Sequence, residues 1–156
     1  MSSPAPVESL ASRLAQAGDD AGWREMAKAA LSEHRALLQR DFSAGESVER
    51  LIGKRCALID TLVTTAWGRC IPAREALTLL ATGGYGRGEL YPFSDIDLLV
   101  LAEPRVQKKN EPAMARFFAM LWDAGLATGH AVRSVEQCVH AARDELLEAP
   151  RGSTRA

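Results

Sequence analysis

Residues 77–101 read LTLLATGGYGRGELYPFSDIDLLVL, and the fold turns on how this stretch is read. Ala76–Thr82 is a short apolar run stopped by Gly83-Gly84, the pattern of a buried strand. Ile96–Leu101 is a second strand, ended by Glu103-Pro104. Between them stand four glycines in six residues: Gly83, Gly84, Gly86 and Gly88. Glycine tolerates positive φ and lets backbone N–H groups approach an anion. A helix starting just beyond would add a positive dipole end. Arg87 lies in the same loop, where it can pair with phosphate or remain a surface arginine. Two familiar phosphate loops are excluded. Gly83 and Gly88 have Walker glycine spacing, but Glu89 and Leu90 follow instead of Lys and Ser/Thr. Neither Gly84-x-Gly86 nor Gly86-x-Gly88 completes a GxGxxG fingerprint.

The second half of the stretch carries the chemistry. Alternate residues of a strand face the same side. Asp95 and Asp97 therefore project together, while Ile96 and Leu98 face the core. Two carboxylates at a strand start can hold a divalent cation, and Mg2+ takes one or two carboxylates plus phosphate oxygens. The competing reading is a solvated turn ahead of a strand. Asp97 opposes it, because a charge inside an apolar run is costly to bury unpaired. Ser94 is either a local turn residue or a phosphate or metal contact. Glu89 is expected to orient the loop, Tyr85 to pack, and His130 to be structural.

Working outward, residues 1–6 read as a mobile Ser/Pro-rich tail and Ser9–Gln16 as a short helix. Ala21–Asp41 is a longer helix with Trp23, Met26, Ala27, Ala30, Leu31, His34, Leu37 and Leu38 at helical spacing. Ser47 caps another, which ends near Ile71-Pro72. Beyond the second strand, Pro112–Leu126 is helical with Phe117, Phe118, Leu121 and Trp122 inward. Gly129–Arg133 is a third strand, Ser134 caps a helix to about Leu147, and residues 150–156 read as a disordered tail. The expected class is α+β: N-terminal helices, then a small mixed sheet with flanking helices. The organisation is a helical lead over 1–72, a core over 73–144 and a tail over 145–156.

Composition narrows the class of function. The chain has 156 residues and a formal net charge of -1, so bulk attraction to nucleic acid or membrane is not expected and any anion site must be local. Aromatic residues are only 6%, too few for a base-stacking surface. Cys56, Cys70 and Cys138 are odd in number and form no CxxC, which points to free thiols and a cytoplasmic setting. The N-terminus lacks the pattern of a signal peptide, and no run approaches the ~18 apolar residues of a membrane span.

The order strand, Gly83-Gly84, ten intervening residues, then Asp95-Ile-Asp97 resembles the nucleotidyltransferase superfamily of polymerase-beta-like fold. The fuller string GGYGRGELYPFSDIDLL, with LWDAGLATGHAVRSVEQC at 121–138, is similar to the transferase domain of bacterial protein-PII uridylyltransferase/uridylyl-removing enzymes. The resemblance covers residues 77–144 strongly. It implies that Gly83 and Gly84 hold the triphosphate of UTP, with Arg87 and Ser94 nearby. It also implies that Asp95 and Asp97 bind Mg2+ and that the acceptor is a tyrosine of the PII nitrogen-signalling protein. Two departures are visible. The superfamily's third carboxylate is missing from Gly129–Arg133, and the chain contains no His-Asp dipeptide of the kind the uridylyl-removing domain uses. The expectation is therefore a truncated form whose transfer activity is doubtful. The alternatives are a non-catalytic nucleotide- or partner-binding remnant, or an adenylyltransferase with another acceptor.

Overall fold

The structure is a computed structural model and describes residues 9–148. Three helices come first: α1 (Leu10–Ala15), α2 (Asp20–Ser43) and α3 (Val48–Cys70). Each begins where a short polar side chain accepts a backbone N–H: Ser9 from Ser12, Asp19 from Gly22 and Ser47 from Arg50. Caps of this kind contribute about 0.5–2 kcal/mol each. Trp23 and Ala27 of α2 are buried, as are Ile59, Leu62, Val63 and Ala66 of α3. The indole Nε1 of Trp23 donates to Thr65 Oγ1 at 3.1 Å, so its buried polar edge has a partner.

The sheet unit follows. It runs β1 (Thr78–Thr82), a single helical turn α4 (Gly83–Gly86), β2 (Ile96–Leu101), α5 (Pro104–Lys109), α6 (Glu111–Asp123), β3 (Thr128–Arg133) and α7 (Val135–Glu148). The strand order is β1-β2-β3, with β1 antiparallel and β3 parallel to the central β2. The class is the α+β arrangement with a small mixed sheet that the pattern implies. Ile96, Leu98 and Val100 are buried and join Met114, Phe117 and Leu121 of α6 in one core. The same core takes in α3, whose Trp67 meets Phe117 edge-on with ring centroids 5.1 Å apart. The sheet unit and the helical lead thus share one core.

Several expectations are corrected. β1 is not a buried strand: it has one partner, β2, and its Leu80 is 39% exposed. A short apolar run bounded by glycine looks the same at an edge as in the middle of a sheet, because pairing is invisible in sequence. Trp122 is 59% exposed, since the buried arc of α6 runs through Met114, Phe117 and Leu121 and Trp122 falls past its edge. That helix stops at Asp123, where Gly125 at φ +94 turns the chain toward β3. β3 starts at Thr128. The tails expected at 1–6 and 150–156 lie outside the described residues.

Candidate active site

The glycine loop folds as one tight unit. Gly83 has φ +58, and the chain then makes the α4 turn, closed by Arg87 N–H to the carbonyls of Gly83 and Gly84 and by Glu89 N–H to Gly84 O at 2.8 Å. The first N–H groups of a helical turn have no carbonyl within it. Gly86 packs against the backbone of β1: a Cβ there would stand 2.7 Å from Ala81 O. Gly84 is not at positive φ; its constraint is Glu89 O, 3.2 Å from where a Cβ would be. Tyr85, from the middle of the turn, is buried, and its hydroxyl donates to the Asp60 carboxylate of α3. Burial, then the hydrogen bond to Asp60 and its charge, raise its pKa well above the ordinary phenol range, so it stays a donor. Tyr85 therefore does more than pack: it ties the glycine turn to the helical lead.

Asp97 is the second residue of β2 and half-buried, alternating with buried Ile96 and Leu98. Its neighbours across the sheet are Thr82 on β1 and Gly129 on β3. The carboxylate fills the space that side chains would take on both sides. A Cβ on Gly83 would lie 2.6 Å from Asp97 Oδ2, and one on Gly129 would lie 2.8 Å from Oδ1. Asp95 stands one residue ahead of β2 and is exposed. Among the described residues, neither carboxylate has a hydrogen-bond or ion-pair partner. Arg87 turns back to Glu89, Nε to Oε2 at 3.1 Å, in an exposed pair. Ser94 is a turn residue whose N–H donates to Tyr91 O at 3.0 Å. His130 stacks on Phe118, with ring centroids 3.8 Å apart, in keeping with a structural role.

Residues 73–137, which contain every one of these groups except Asp60, match the family model described as "Nucleotidyltransferase domain". This segment is a nucleotidyltransferase domain. The chain is 51% identical over 128 residues, 82% of its length, to the "Bifunctional uridylyltransferase/uridylyl-removing enzyme" of Xanthomonas campestris pv. campestris (strain B100). It is 48% identical over 128 residues to the protein of that name from Xanthomonas oryzae pv. oryzae (strain MAFF 311018). Over 120 residues it is 42% identical to the one from Pseudomonas aeruginosa (strain UCBPP-PA14). The chain spans about 15% of the length of the Xanthomonas relatives and 13% of the Pseudomonas one. No solved structure matches.

The nucleotidyltransferase segment suits a divalent cation at Asp95 and Asp97. Both carboxylates have no competing partner among the described residues, and Asp97 sits in a cradle that only glycine neighbours leave open. Hard oxygen donors in this number match what Mg2+ takes from a protein when phosphate supplies the rest. Among the described residues no group of three or more His, Cys, Asp or Glu side chains is placed to hold a metal ion. The β3 position paired with Asp97 is Gly129. Gly129 is a neighbour of the Asp97 carboxylate that sequence reading did not single out. Its signal was a glycine inside a strand, which marks a close approach. No described helix is long and apolar enough to cross a membrane.

Proposed function

We propose that this chain binds Mg2+–UTP and transfers UMP to a tyrosine hydroxyl of the PII signal protein, releasing pyrophosphate. The observation that carries the reading is the Asp97 carboxylate held between Gly83 and Gly129, next to the glycine turn. In this reading Asp95 and Asp97 hold Mg2+, which when bound neutralises charge on the phosphate oxygens. Gly83 and Gly84 present backbone N–H groups to the triphosphate. Arg87 reaches it by leaving Glu89, at small cost because exposed ion pairs contribute only about 0–1 kcal/mol. Ser94 holds the loop that leads into Asp95. The protein's contribution is mainly positioning and charge stabilisation. The relatives' name supports uridylyl transfer as the chemistry. The choice of PII as acceptor rests on the sequence resemblance.

A second reading is a nucleotide-binding form without turnover. It is favoured by Gly129, which stands beside Asp97 where a carboxylate on β3 would complete the set. The purified chain with UTP, Mg2+ and PII, scored by pyrophosphate release and acceptor mass, separates the two. Mg2+-dependent UTP binding with turnover below about 1 s⁻¹ is expected, because a site without the third carboxylate lacks a candidate general base for the acceptor hydroxyl, help typically worth about 10²–10⁴ in rate. Faster turnover would show a complete site. Preference for ATP would move the reading to adenylyl transfer, and failure to bind any Mg2+–nucleotide would overturn both readings. No uridylyl-removing activity is expected of these 156 residues, which contain no His-Asp dipeptide.

A further inference from the structure

A groove of about 960 Å³ runs between α2, the start of α3 and the loops at residues 90–96 and 124–127. It follows α2 from Lys28 to Phe42, about 20 Å at 1.5 Å per residue. Leu31, Leu38, Leu51 and Ile52 give it an apolar floor. Its ionisable lining is Lys28, His34, Arg35 and Arg55, and among the described residues no carboxylate lines it. Lys28 and Arg35 are exposed and form no ion pair among the described residues. Arg55 Nε and His34 Nε2 are buried without a hydrogen-bond partner. On a chain of net charge -1 this is a local concentration of positive charge over an apolar floor.

One wall of the groove is the loop that enters the aspartates. Phe93 and Ser94 line it, and Asp95 is the next residue. Phe93 is the one non-glycine residue at positive φ among those described, at 70°, and its side chain is fully exposed. A bulky aromatic in that conformation is an outlier, and such outliers gather at functional sites. Phe42 and Val48 also remain 61% and 50% exposed on the groove.

We propose that this groove docks the macromolecular acceptor, a protein segment with acidic side chains for Lys28 and Arg35 and apolar anchors for the floor. Docking there holds the acceptor against Phe93 and Ser94, the residues that lead into Asp95. The inference rests on the transferase reading above. Charge complementarity defines the partner as acidic, and its apolar floor and length suit a peptide laid along a helix groove. Continuity with the aspartate loop favours the acceptor over a second copy of this chain or a small amphiphile. Neither of those needs a wall made by Phe93 and Ser94, the loop that runs into Asp95.

The test uses the full chain, purified PII as probe, and two variants: the double charge reversal K28E/R35E and Phe93→Asn. Asn tolerates positive φ, so the second variant removes the ring with little strain. Affinity for PII, affinity for Mg2+–UTP, thermal melting and sedimentation are measured. Wild-type binding of PII that weakens with salt is expected, as exposed charges are screened over about 8 Å at physiological ionic strength. Each variant should lose about tenfold or more in PII affinity, with Mg2+–UTP affinity and melting unchanged. A wild-type chain that does not bind PII would overturn the inference. So would variants that bind PII as well as wild type, or that only dissolve a dimer of this chain. Failure of the transferase reading would register separately, as loss of Mg2+–UTP binding in the wild type.

Discussion

At the scale of single residues the site depends on two missing Cβ atoms. Real Cβ atoms do not come within 3.0 Å of a carboxylate oxygen, so Gly129→Ala must push Asp97 Oδ1 from its place 2.8 Å away. Asp97 is half-buried between two strands, so its carboxylate turns rather than its backbone. Outer neighbours that orient a metal ligand typically change affinity about 10–100-fold when altered, and a loss of that size in Mg2+–UTP affinity is expected for Gly129→Ala. Gly18→Ala is the control, because a Cβ there meets nothing within 4 Å. Titration beside thermal melting decides the matter; a folded Gly129→Ala chain with wild-type affinity would detach Gly129 from the site. The two aspartates and the first two glycines stand out in sequence as candidates because their spacing lies within one short stretch. Gly129 does not, because its meeting with Asp97 exists only through the β2–β3 register, thirty-two residues along the chain. Arg87 shows the converse: sequence names the charge but not its partner, here Glu89.

At the scale of elements, the glycine turn α4 is too short to hold its own shape, and Tyr85 anchors it to α3 through Asp60. The bond is only part-buried and Asp60 is exposed to water, so losing it costs about 0.5–1.5 kcal/mol. Tyr85→Phe is therefore expected to lower the melting temperature modestly and Mg2+–UTP affinity several-fold, about what 1 kcal/mol allows. Asp60→Asn keeps an acceptor for the Tyr85 hydroxyl and should retain most of that affinity. A Tyr85→Phe chain that melts lower yet binds nucleotide normally would make the anchor purely structural. The longer helices were legible from their caps and apolar stripes; the box in which Ser134 Oγ accepts Gln137 N–H while Gln137 Oε1 accepts Ser134 N–H is an example. Helix α5 was not, because its six residues bury no side chain and leave no apolar period to read. The openness of β1 was hidden for a related reason: an apolar run reports composition, and exposure follows from which strands pair.

At the scale of the whole molecule, the helical lead and the sheet unit share a core through α3 and α6, and one polar joint adds to it. Asp20 at the start of α2 accepts two hydrogen bonds from Arg116 of α6, both at 2.7 Å, and lies 3.5 Å from Arg69 Nε of α3. The hydrogen bond from Arg116 is the main reason the Asp20 carboxyl titrates below its ordinary value, with the charges of Arg116 and Arg69 assisting against desolvation. A carboxyl whose folded pKa is depressed contributes stability that is fully present above its unfolded pKa and is lost as pH falls through the folded one. The side chains of Asp20 and Arg116 are 38% and 48% exposed, so solvent screening keeps the contribution to about 1 kcal/mol or less. Asp20→Asn is therefore expected to melt slightly below wild type near neutral pH, with the gap narrowing as pH falls below the ordinary carboxylate range and wild-type Asp20 takes up its proton. Melting curves of both chains across that range measure it. A gap that stays constant to acid pH would mean that Asp20 acts through shape and capping alone, and that the charge pair does not hold α2 against α6.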